Sequence, residues 1–546
     1  MILNFLKQLK EKHLVFKMNT LILCLSAYYA LIFNQPLLQL FFDLAKSSPP
    51  LVAYSGALLL LSAFIIVFSC ISLPYLFKII MIPLILTSSL SFYATKQYHV
   101  LFDTTMIENL LSTDLNESLT YLNAYSVMYF LVLGALPAIL LFFIKIKYAK
   151  NIAKEILHRA ILVVSACLII FFIAFFYYKD YASIGRNNAY LNKMILPAYA
   201  FNFVRYLNHQ YLTKVLPFKE LGNDATLSLT KNNKPNLVVV VLGETARAQN
   251  YTYNGYTRNS SPYTKSLDMI PFLNTRSCGT YTALSVPCMF SNMSRANYNK
   301  ARATTEDNLL DIMQKSGVSI TWIENDGGDK GVAKRLSKIE VSTKNQKPYC
   351  SSNNCFDEAL ISELKQQLAT KNNIDRLIVL HLKGSHGPTY WQRYPSEKSR
   401  YTPSCDQKDI EHCTDEEIVN VYDNSLVYTD FIVSLAIKAL QKQQSNYNVA
   451  LTYISDHGES LGEKGLYLHG TPYAFAPKEQ THVPWSFWLP EQYMQAHSFD
   501  SACIRKKGAI GGLSHDNFFH SMLGLLGVNT RLKDNNLDLF STCNKG

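Results

Sequence analysis

Leu237-Val-Val-Val-Val-Leu-Gly-Glu244 is the stretch that decides the fold of this chain. Two further apolar runs end in a similar way: Leu377-Ile-Val-Leu-His381 and Val449-Ala-Leu-Thr-Tyr-Ile-Ser-Asp-His457. Unbroken runs rich in Val, Ile and Leu are typical of buried strands in a parallel sheet, where ligands bind at the carboxyl ends of the strands. The sequence therefore predicts that four side chains meet at one edge of a sheet: Glu244, His381, Asp456 and His457.

Downstream of residue 236, strand-like runs alternate with stretches that have helical character. The predicted helices span 306–316, 356–369 and 416–442, and the other predicted strands span 318–323 and 483–489. Gly317 follows the first helix at a position where glycine commonly ends a helix. Alternating strands and helices are typical of a layered α/β fold.

The first third of the chain holds five apolar stretches of roughly 20 residues, long enough to cross a bilayer as helices. They lie near 15–35, 51–72, 75–95, 123–145 and 157–178. We therefore expect a transmembrane domain over 1–180, a connector over 181–225 and a globular domain over 226–546. In the connector, 198–207 mixes aromatic residues with a cation, which suits either an interfacial amphipathic helix or a helix packed on the outer domain.

Charge around the spans predicts the orientation of the membrane domain. Lysine and arginine cluster before the first span and between the fourth and fifth, whereas the segment between the third and fourth is acidic. Because cytoplasmic loops carry the excess of Lys and Arg, both basic flanks are expected in the cytoplasm. Five crossings then place everything after Asp180 outside it.

The distribution of cysteines agrees with that orientation. Eight of the eleven lie in the predicted outer domain, an even number that indicates disulfides in an oxidising compartment. Spacing favours the pairs Cys278–Cys288, Cys350–Cys355 and Cys405–Cys413, which leaves Cys503–Cys543. A thiolate zinc site is the alternative, and the lack of any CxxC pair counts against it.

Residues at the predicted sheet edge are suited to a metal ion. Glu244, Asp456 and His457 offer two carboxylates and an imidazole, which are ligands that Zn²⁺ takes in proteins. Each residue alone is compatible with an ordinary loop at a strand end. The sequence Ser455-Asp-His-Gly-Glu459 after a buried strand, with Glu244 after another, favours a metal site.

A candidate nucleophile lies between Cys278 and Cys288, where a disulfide would restrict a loop rich in hydroxyl groups. Thr280, Thr282 and Ser285 are all candidates, and an ordinary polar loop is the alternative. A hydroxyl is a weak nucleophile until a base or a metal helps to remove its proton.

Three further histidines lie in turns that contain glycine, which lets the backbone approach a ligand closely: His381, His386 and His469. They are candidates to bind a second metal or a phosphate, or to protonate a leaving group, although a lone histidine is more often structural. Asn325 and Lys330 could add a hydrogen bond and a charge to a phosphate, or belong to a solvated loop.

Five motifs extend these observations: Glu244-Thr-Ala-Arg247, Cys278-Gly-Thr-Tyr-Thr282, Ser285-Val-Pro-Cys-Met-Phe290, Gly384-Ser-His-Gly-Pro388 and Ser455-Asp-His-Gly-Glu-Ser-Leu-Gly-Glu463. Together they resemble the lipid A phosphoethanolamine transferases, both intrinsic enzymes and mobile colistin-resistance enzymes. The resemblance covers nearly the whole chain. It implies a multi-pass protein of the bacterial inner membrane with an alkaline-phosphatase-like, sulfatase-type α/β/α domain in the periplasm.

The resemblance also implies a metal centre and a nucleophile. Zinc would be held by Glu244, Thr282, Asp456 and His457, with Thr282 as the attacking group. One zinc is expected to bind tightly, and a second is allowed. The residues expected to bind or approach the substrate are Asn109, Glu117, Asn325, Lys330, His381, His386 and His469.

The resulting functional prediction is transfer of phosphoethanolamine from phosphatidylethanolamine to a lipid A phosphate, through a covalent phosphothreonine-type intermediate. The added amine would cancel negative charge on the lipid and confer polymyxin resistance. Alternatives are transfer to a lipopolysaccharide core sugar, a related phosphoglycerol transferase, and a zinc-binding sensor without turnover. We expect a monomer that contacts membrane lipid. The sequence has no basic tract interleaved with aromatic residues, so it does not indicate a nucleic-acid partner.

Overall fold

The computed structural model describes residues 14–112, 122–149, 151–188, 190–208, 216–351, 354–370, 372–407, 410, 413–463 and 466–544. The chain folds into two compact units. The first contains Met1–Ile107 and Leu122–Leu212, and the second contains Glu108–Tyr121 and Thr213–Gly546.

The first unit is helical. Four of its helices are long and apolar enough to cross a membrane: Pro50–Cys70, Leu76–Tyr98, Ala124–Phe143 and Ile152–Tyr178. A bent pair, Met18–Phe33 and Gln35–Leu44, adds a fifth span if both halves count as one. The described part of the chain therefore agrees with the five predicted spans when the pair is counted in this way.

Asn34 lies at the break in that bent pair, where the two helices meet at 63°. Its buried side-chain amide donates to the backbone carbonyls of Tyr29 and Leu196, each at 2.9 Å. Pro36 lies in the first turn of the following helix, where its missing N–H costs nothing. The polar side chain thus ties the break to a segment near Leu196, far along the chain.

Shorter elements complete the first unit: the helices Leu191–Met194 and Ala198–Leu207, and the paired strands Val15–Lys17 and Lys145–Lys147. The helix Thr104–Ser112 begins in the first unit and ends in the second. The helix Ala198–Leu207 matches the predicted amphipathic segment. Its Tyr199 hydroxyl lies 2.6 Å from Thr87 Oγ1, on the helix Leu76–Tyr98. Phe201 and Val204 are exposed. This helix therefore packs within the unit that contains the spans and leaves apolar side chains uncovered.

A seven-stranded sheet forms the centre of the second unit. In chain order its strands are β1 (Asn236–Gly243), β2 (Ile270–Arg276), β3 (Ser319–Glu324), β4 (Ser337–Glu340), β5 (Arg376–His381), β6 (Asn448–Ser455) and β7 (His482–Trp488). Their order in space is β2-β7-β6-β1-β5-β3-β4. All neighbours are parallel except the two pairs that β7 makes with β6 and β2. The three apolar runs of the sequence are therefore adjacent central strands.

Helices cover both faces of this sheet. They are Thr282–Met289, Lys300–Ala303, Leu309–Lys315, Glu358–Ala369, Asp415–Gln441, Lys478–Thr481, Glu491–Ala496, Ser501–Ile510 and Asp516–Leu526. Val238 and Val240 of β1 share one core with Leu309–Lys315 and Asp516–Leu526. Val239 and Val241 point to the opposite face and are fully buried, and β1 also packs against Asp415–Gln441. The predicted α/β/α layering is confirmed.

The predicted helix 306–316 is shorter in the structure, where it spans Leu309–Lys315. Asn308 explains the later start, because its side chain accepts the backbone N–H groups of Leu310 and Asp311. The Asp311 carboxylate accepts the N–H of Asn308 in return, which completes a capping box. Gly317 follows the helix with a φ of 102°, which suits glycine.

Four disulfides crosslink segments within the second unit: Cys278–Cys288, Cys350–Cys355, Cys405–Cys413 and Cys503–Cys543. These are the four predicted pairs. The first encloses the segment that holds the candidate nucleophiles.

Candidate active and metal site

The central strands bring the candidate residues to one edge of the sheet. His381 is in register with Leu242, and Ser455 is in register with Gly243. Glu244 follows β1, Asp456 follows β6, and His381 is the last residue of β5. The structure therefore brings these side chains together, as the strand pattern predicts.

Glu244, Asp456 and His457 form a fully buried cluster, with one ligand atom of each within 4.8 Å of the others. His457 Nε2 lies 3.3 Å from Glu244 Oε1 and 3.3 Å from Asp456 Oδ2. Thr282 Oγ1 lies 3.3 and 3.2 Å from the two carboxylate oxygens of Glu244, and 3.4 Å from His457 Nε2. One hydroxyl thus faces both acidic and imidazole groups.

The other two candidate hydroxyls are engaged elsewhere. Thr280 donates to the carbonyl of Thr471 at 2.7 Å, and Ser285 donates to the carbonyl of Asp456 at 2.6 Å. Both bonds hold the loop in place. Of the three candidates, Thr282 is the one whose hydroxyl faces the Glu244 carboxylate.

Local backbone geometry fixes the position of Thr282. It is the first residue of the helix Thr282–Met289, and Tyr281 before it is extended, with a φ of −157°. The Cys278–Cys288 disulfide ties the preceding loop to the end of the same helix. The backbone on both sides of Thr282 is therefore constrained.

The hydrogen bonds of His457 and Asp456 leave two atoms directed into the cluster. His457 Nδ1 lies 2.9 Å from the carbonyl of Gly458, which can only accept, so Nδ1 carries a proton and a neutral ring has its lone pair on Nε2. Asp456 Oδ1 accepts the N–H groups of Thr245 and His457. Its Oδ2 is buried without a hydrogen bond to any described residue.

Burial makes this set of charges costly without a cation. Burial and the neighbouring Glu244 carboxylate raise the pKa of Asp456 to about 7. Although burial favours the neutral ring, Asp456 and Glu244 raise the pKa of His457 to about 10. Two carboxylates, one of which has an unsatisfied oxygen, form with an imidazole and a hydroxyl a donor set that fits a metal ion.

His386 and His469 lie beside this cluster. The ring centroids of His457 and His469 are 4.6 Å apart, and those of His386 and His469 are 5.2 Å apart. His469 Nδ1 lies 2.9 Å from Glu459 Oε2, and His386 Nδ1 lies 2.9 Å from the carbonyl of Gly387. Both rings are therefore oriented through Nδ1 and present the opposite edge.

His381 contacts a different carboxylate, that of Glu324. Its Nδ1 lies 2.9 Å from Glu324 Oε2, at the end of the adjacent strand β3. Although burial acts in the opposite direction, His381 lowers the pKa of Glu324 to about 2. Lys330 lies close enough for its positive charge to oppose protonation of His381.

The remaining predicted substrate residues have different surroundings. Asn325 is buried, and its amide donates to Asp357 Oδ1 at 2.7 Å and to a backbone carbonyl. Asn109 lies on the helix Thr104–Ser112. Glu117 lies outside the described residues.

His515 is a site residue that the sequence analysis missed. Its Nδ1 accepts the backbone N–H of Cys278 at 3.1 Å, and its Nε2 lies 3.0 Å from the carbonyl of Ser455. Burial lowers the pKa of His515 to about 3, so the ring is neutral. It precedes a helix and follows no strand-like run, and no sequence pattern marks it.

Glu324 was also missed, although a signal was present. The predicted strand 318–323 stops one residue before it, whereas β3 includes it. The rule that selected His381, a polar residue at the end of an apolar run, also selects Glu324.

Comparisons with known proteins cover both units. The sulfatase family profile matches residues 236–528, and the profile of phosphoethanolamine transferase EptA/EptB matches residues 60–211. Phosphoethanolamine transferase EptA of Escherichia coli (strain K12) is 38% identical over 517 residues, which covers 92% of this chain and 94% of that protein. Phosphatidylethanolamine transferase Mcr-1 of Escherichia coli is 35% identical over 473 residues and covers 83% and 86%.

One solved structure resembles nearly the whole chain. It is the integral membrane protein lipooligosaccharide phosphoethanolamine transferase A (EptA) from Neisseria meningitidis. The TM-score is 0.93 at 34% sequence identity, and the alignment covers 98% of this chain and 100% of that chain. The similarity therefore includes the membrane helices as well as the outer domain.

Proposed function

We propose that this chain, which belongs to the phosphoethanolamine transferase family, transfers phosphoethanolamine from phosphatidylethanolamine to a phosphate of lipid A. The donor agrees with the name of Mcr-1, a phosphatidylethanolamine transferase. The acceptor class agrees with the name of the Neisseria protein, which acts on lipooligosaccharide. The apolar helices suit a multi-pass inner-membrane protein, with the sulfatase-like domain in the periplasm.

The observation that carries this proposal is the position of the Thr282 hydroxyl. It lies within 3.4 Å of His457 Nε2 and closer to both oxygens of the Glu244 carboxylate. A group-transfer enzyme with a covalent step needs a nucleophile beside a group that can take its proton. Glu244 accepts the Thr282 hydroxyl in a buried setting, which supports the assignment of Thr282 as the nucleophile.

A zinc ion held by Glu244, Thr282, Asp456 and His457 would lower the pKa of the hydroxyl and offset negative charge on the phosphate. Thr282 is oriented by the start of its helix and by the Cys278–Cys288 disulfide. Its oxygen attacks the donor phosphorus, a new P–O bond forms to Thr282, and the P–O bond to diacylglycerol breaks. Diacylglycerol leaves with a proton, and Thr282 carries phosphoethanolamine.

The second half of the reaction reverses these roles. An oxygen of a lipid A phosphate attacks the same phosphorus, and the bond to Thr282 breaks. His386 and His469, held through Nδ1 beside His457, are placed to hydrogen bond phosphoryl oxygens or to supply the leaving-group proton. The Thr282 hydroxyl recovers its proton, and the modified lipid carries one more amine.

Mass spectrometry of lipid A from cells that express this chain tests the proposal. The expected result is lipid A with added phosphoethanolamine and a lower susceptibility to polymyxin, both absent with Thr282→Ala. Addition to the core sugars would identify the alternative acceptor. Unmodified lipopolysaccharide, despite a protein that folds and inserts, would contradict the proposal.

A further inference from the structure

The His381 side chain is held as metal-binding histidines are held, although it lies outside the Glu244–Asp456–His457 cluster. It is fully buried, and its Nδ1 is engaged by Glu324 Oε2 at 2.9 Å. Its Nε2 has no hydrogen-bond partner in the described part of the chain. A buried ring nitrogen without a partner calls for an explanation, and an absent ion is one of the usual ones.

The carboxylate behind His381 is itself fixed. Glu324 accepts Trp322 Nε1 at 2.8 Å and also accepts the backbone N–H of Asp326. A carboxylate that accepts from one imidazole nitrogen sets the tautomer and the orientation of the ring, so that the other nitrogen faces the metal. These hydrogen bonds orient the His381 ring, which distinguishes it from a histidine that only fills space in a core.

One carboxylate faces Nε2, and a second belongs to the same cluster. Asp326 Oδ2 is 3.6 Å from His381 Nε2. Glu244, Asp326 and His381 each offer one ligand atom within 4.8 Å of the other two. Glu244 is shared with the first cluster, which contains Asp456 and His457.

We propose that Glu244, Asp326 and His381 form a second site for a divalent cation, with zinc as the ion that best suits one imidazole and two carboxylates. Three protein ligands leave a coordination position open. This site offers three protein ligands where the first offers four, and it shares Glu244 with it, so we expect it to bind zinc more weakly than the first. The two sites share the Glu244 carboxylate as a bridge.

This site differs from one built on His386 and His469. Those two rings face each other with centroids 5.2 Å apart, beside His457, and neither belongs to the Asp326 cluster. The proposal concerns metal binding alone. It can therefore be tested by zinc stoichiometry whether or not the transferase activity is found.

The experiment is a zinc titration of the full-length protein in detergent after removal of metal with a chelator. Bound zinc is measured by calorimetry and by elemental analysis after gel filtration. We expect two equivalents per chain in the wild type, in a tight and a weaker class. Asp326→Asn should lose the weaker equivalent, and Glu324→Gln should weaken it by about 10–100-fold.

Asp329→Asn is the matched control, because it removes the same charge from the same loop. Asp329 accepts the N–H of Ala333 and lies 3.3 Å from Lys338 Nζ, outside the cluster. This variant should keep both equivalents. Asp326→Glu, which restores a carboxylate, should recover part of the weaker class, and thermal unfolding of the zinc-free proteins checks that each is folded.

Several results would overturn the second site. One is a single equivalent of zinc in the wild type at saturation. Another is an unchanged titration in Asp326→Asn, or an equal loss in Asp329→Asn. Loss of the second equivalent in a His386→Asn, His469→Asn double variant, with Asp326→Asn unaffected, would assign it to the histidine pair instead. If Asp326→Asn does not fold, Glu324→Gln decides, and an unchanged weaker class then overturns the proposal.

Discussion

His515 Nδ1 accepts the backbone N–H of Cys278 at 3.1 Å, which links the loop before Thr282 to the residue that precedes the helix Asp516–Leu526. The other ring nitrogen donates to the carbonyl of Ser455 at 3.0 Å. One neutral imidazole therefore joins the nucleophile loop to the end of β6, which carries Asp456. The position of Thr282 relative to the Glu244–Asp456–His457 cluster therefore depends on a residue outside that cluster.

Replacement of His515 should change how stability depends on pH. Burial lowers its pKa to about 3 in the folded protein, against about 6.5 when unfolded, so the unfolded chain binds more protons between these values. Stability is then lost as the pH falls from 6.5 toward 3. From pH 7 to pH 5 the wild type should lose about 2 kcal/mol through this residue.

His515→Asn keeps an acceptor for Cys278 but does not titrate. Denaturant unfolding at pH 5 and pH 7 should show that this variant loses less free energy of unfolding than the wild type between the two pH values. An identical loss in both proteins would contradict the assigned role. His515→Phe removes both hydrogen bonds, so we expect transfer to fall at least about tenfold through misplacement of the loop, with partial recovery in His515→Asn.

Thr282→Ala should abolish formation of the covalent intermediate. Loss of a nucleophile typically costs about 10³-fold or more in rate, because the remaining groups cannot replace the attacking oxygen. Intact-protein mass spectrometry after incubation with phosphatidylethanolamine should show one added phosphoethanolamine on the wild type and none on the variant. Thr282→Ser should be labelled more slowly.

Thr280→Ala is the control for that experiment. It removes a hydroxyl from the same loop, whose partner is the Thr471 carbonyl rather than Glu244. Labelling should fall by less than about tenfold, as expected for one lost neutral hydrogen bond. Equal loss of labelling in both variants would point to disruption of the loop instead of loss of the nucleophile.

Removal of metal should inactivate and destabilise the protein together. A ligand present at 100 times its Kd stabilises the folded state by about 2.7 kcal/mol, so chelation should lower the midpoint of thermal unfolding. Zinc should restore both activity and stability. Asp456→Asn should lose most of this zinc response, whereas Glu463→Gln, in the same motif, should retain it.

The four disulfides should contribute unequally to stability. Cys503–Cys543 has a sequence separation of 40 and Cys350–Cys355 a separation of 5, so the first restricts the unfolded chain more. Chain entropy predicts costs of about 4 and about 2 kcal/mol for removing them. Paired Cys→Ala variants compared by denaturant unfolding test this order, and a larger loss for the shorter loop would contradict it.

The strands and the positions of the candidate metal ligands could be predicted because their signals are local. The run Leu237–Leu242 is apolar throughout, which requires burial on both faces and therefore a central position in a parallel sheet. Once the run is central, Glu244 must lie at the carboxyl edge. The same reasoning placed His381 and Asp456, and the structure brings all three to one edge of the sheet, with His381 outside the Glu244–Asp456–His457 cluster.

Supporting residues were harder to predict because their roles depend on contacts between distant segments. His515 reaches Cys278 across 237 positions, and nothing in the residues around it indicates that contact. The choice of Thr282 over Thr280 and Ser285 likewise depends on which hydroxyl the start of a helix turns toward Glu244. The break at Asn34 could not be read from hydropathy, because the apolar pattern continues across it.

The disulfide between Cys278 and Cys288 encloses Thr282 in sequence. Reduction of this bond would release the loop before Thr282 from the end of its helix, so we expect the position of the Thr282 hydroxyl to depend on an oxidising environment.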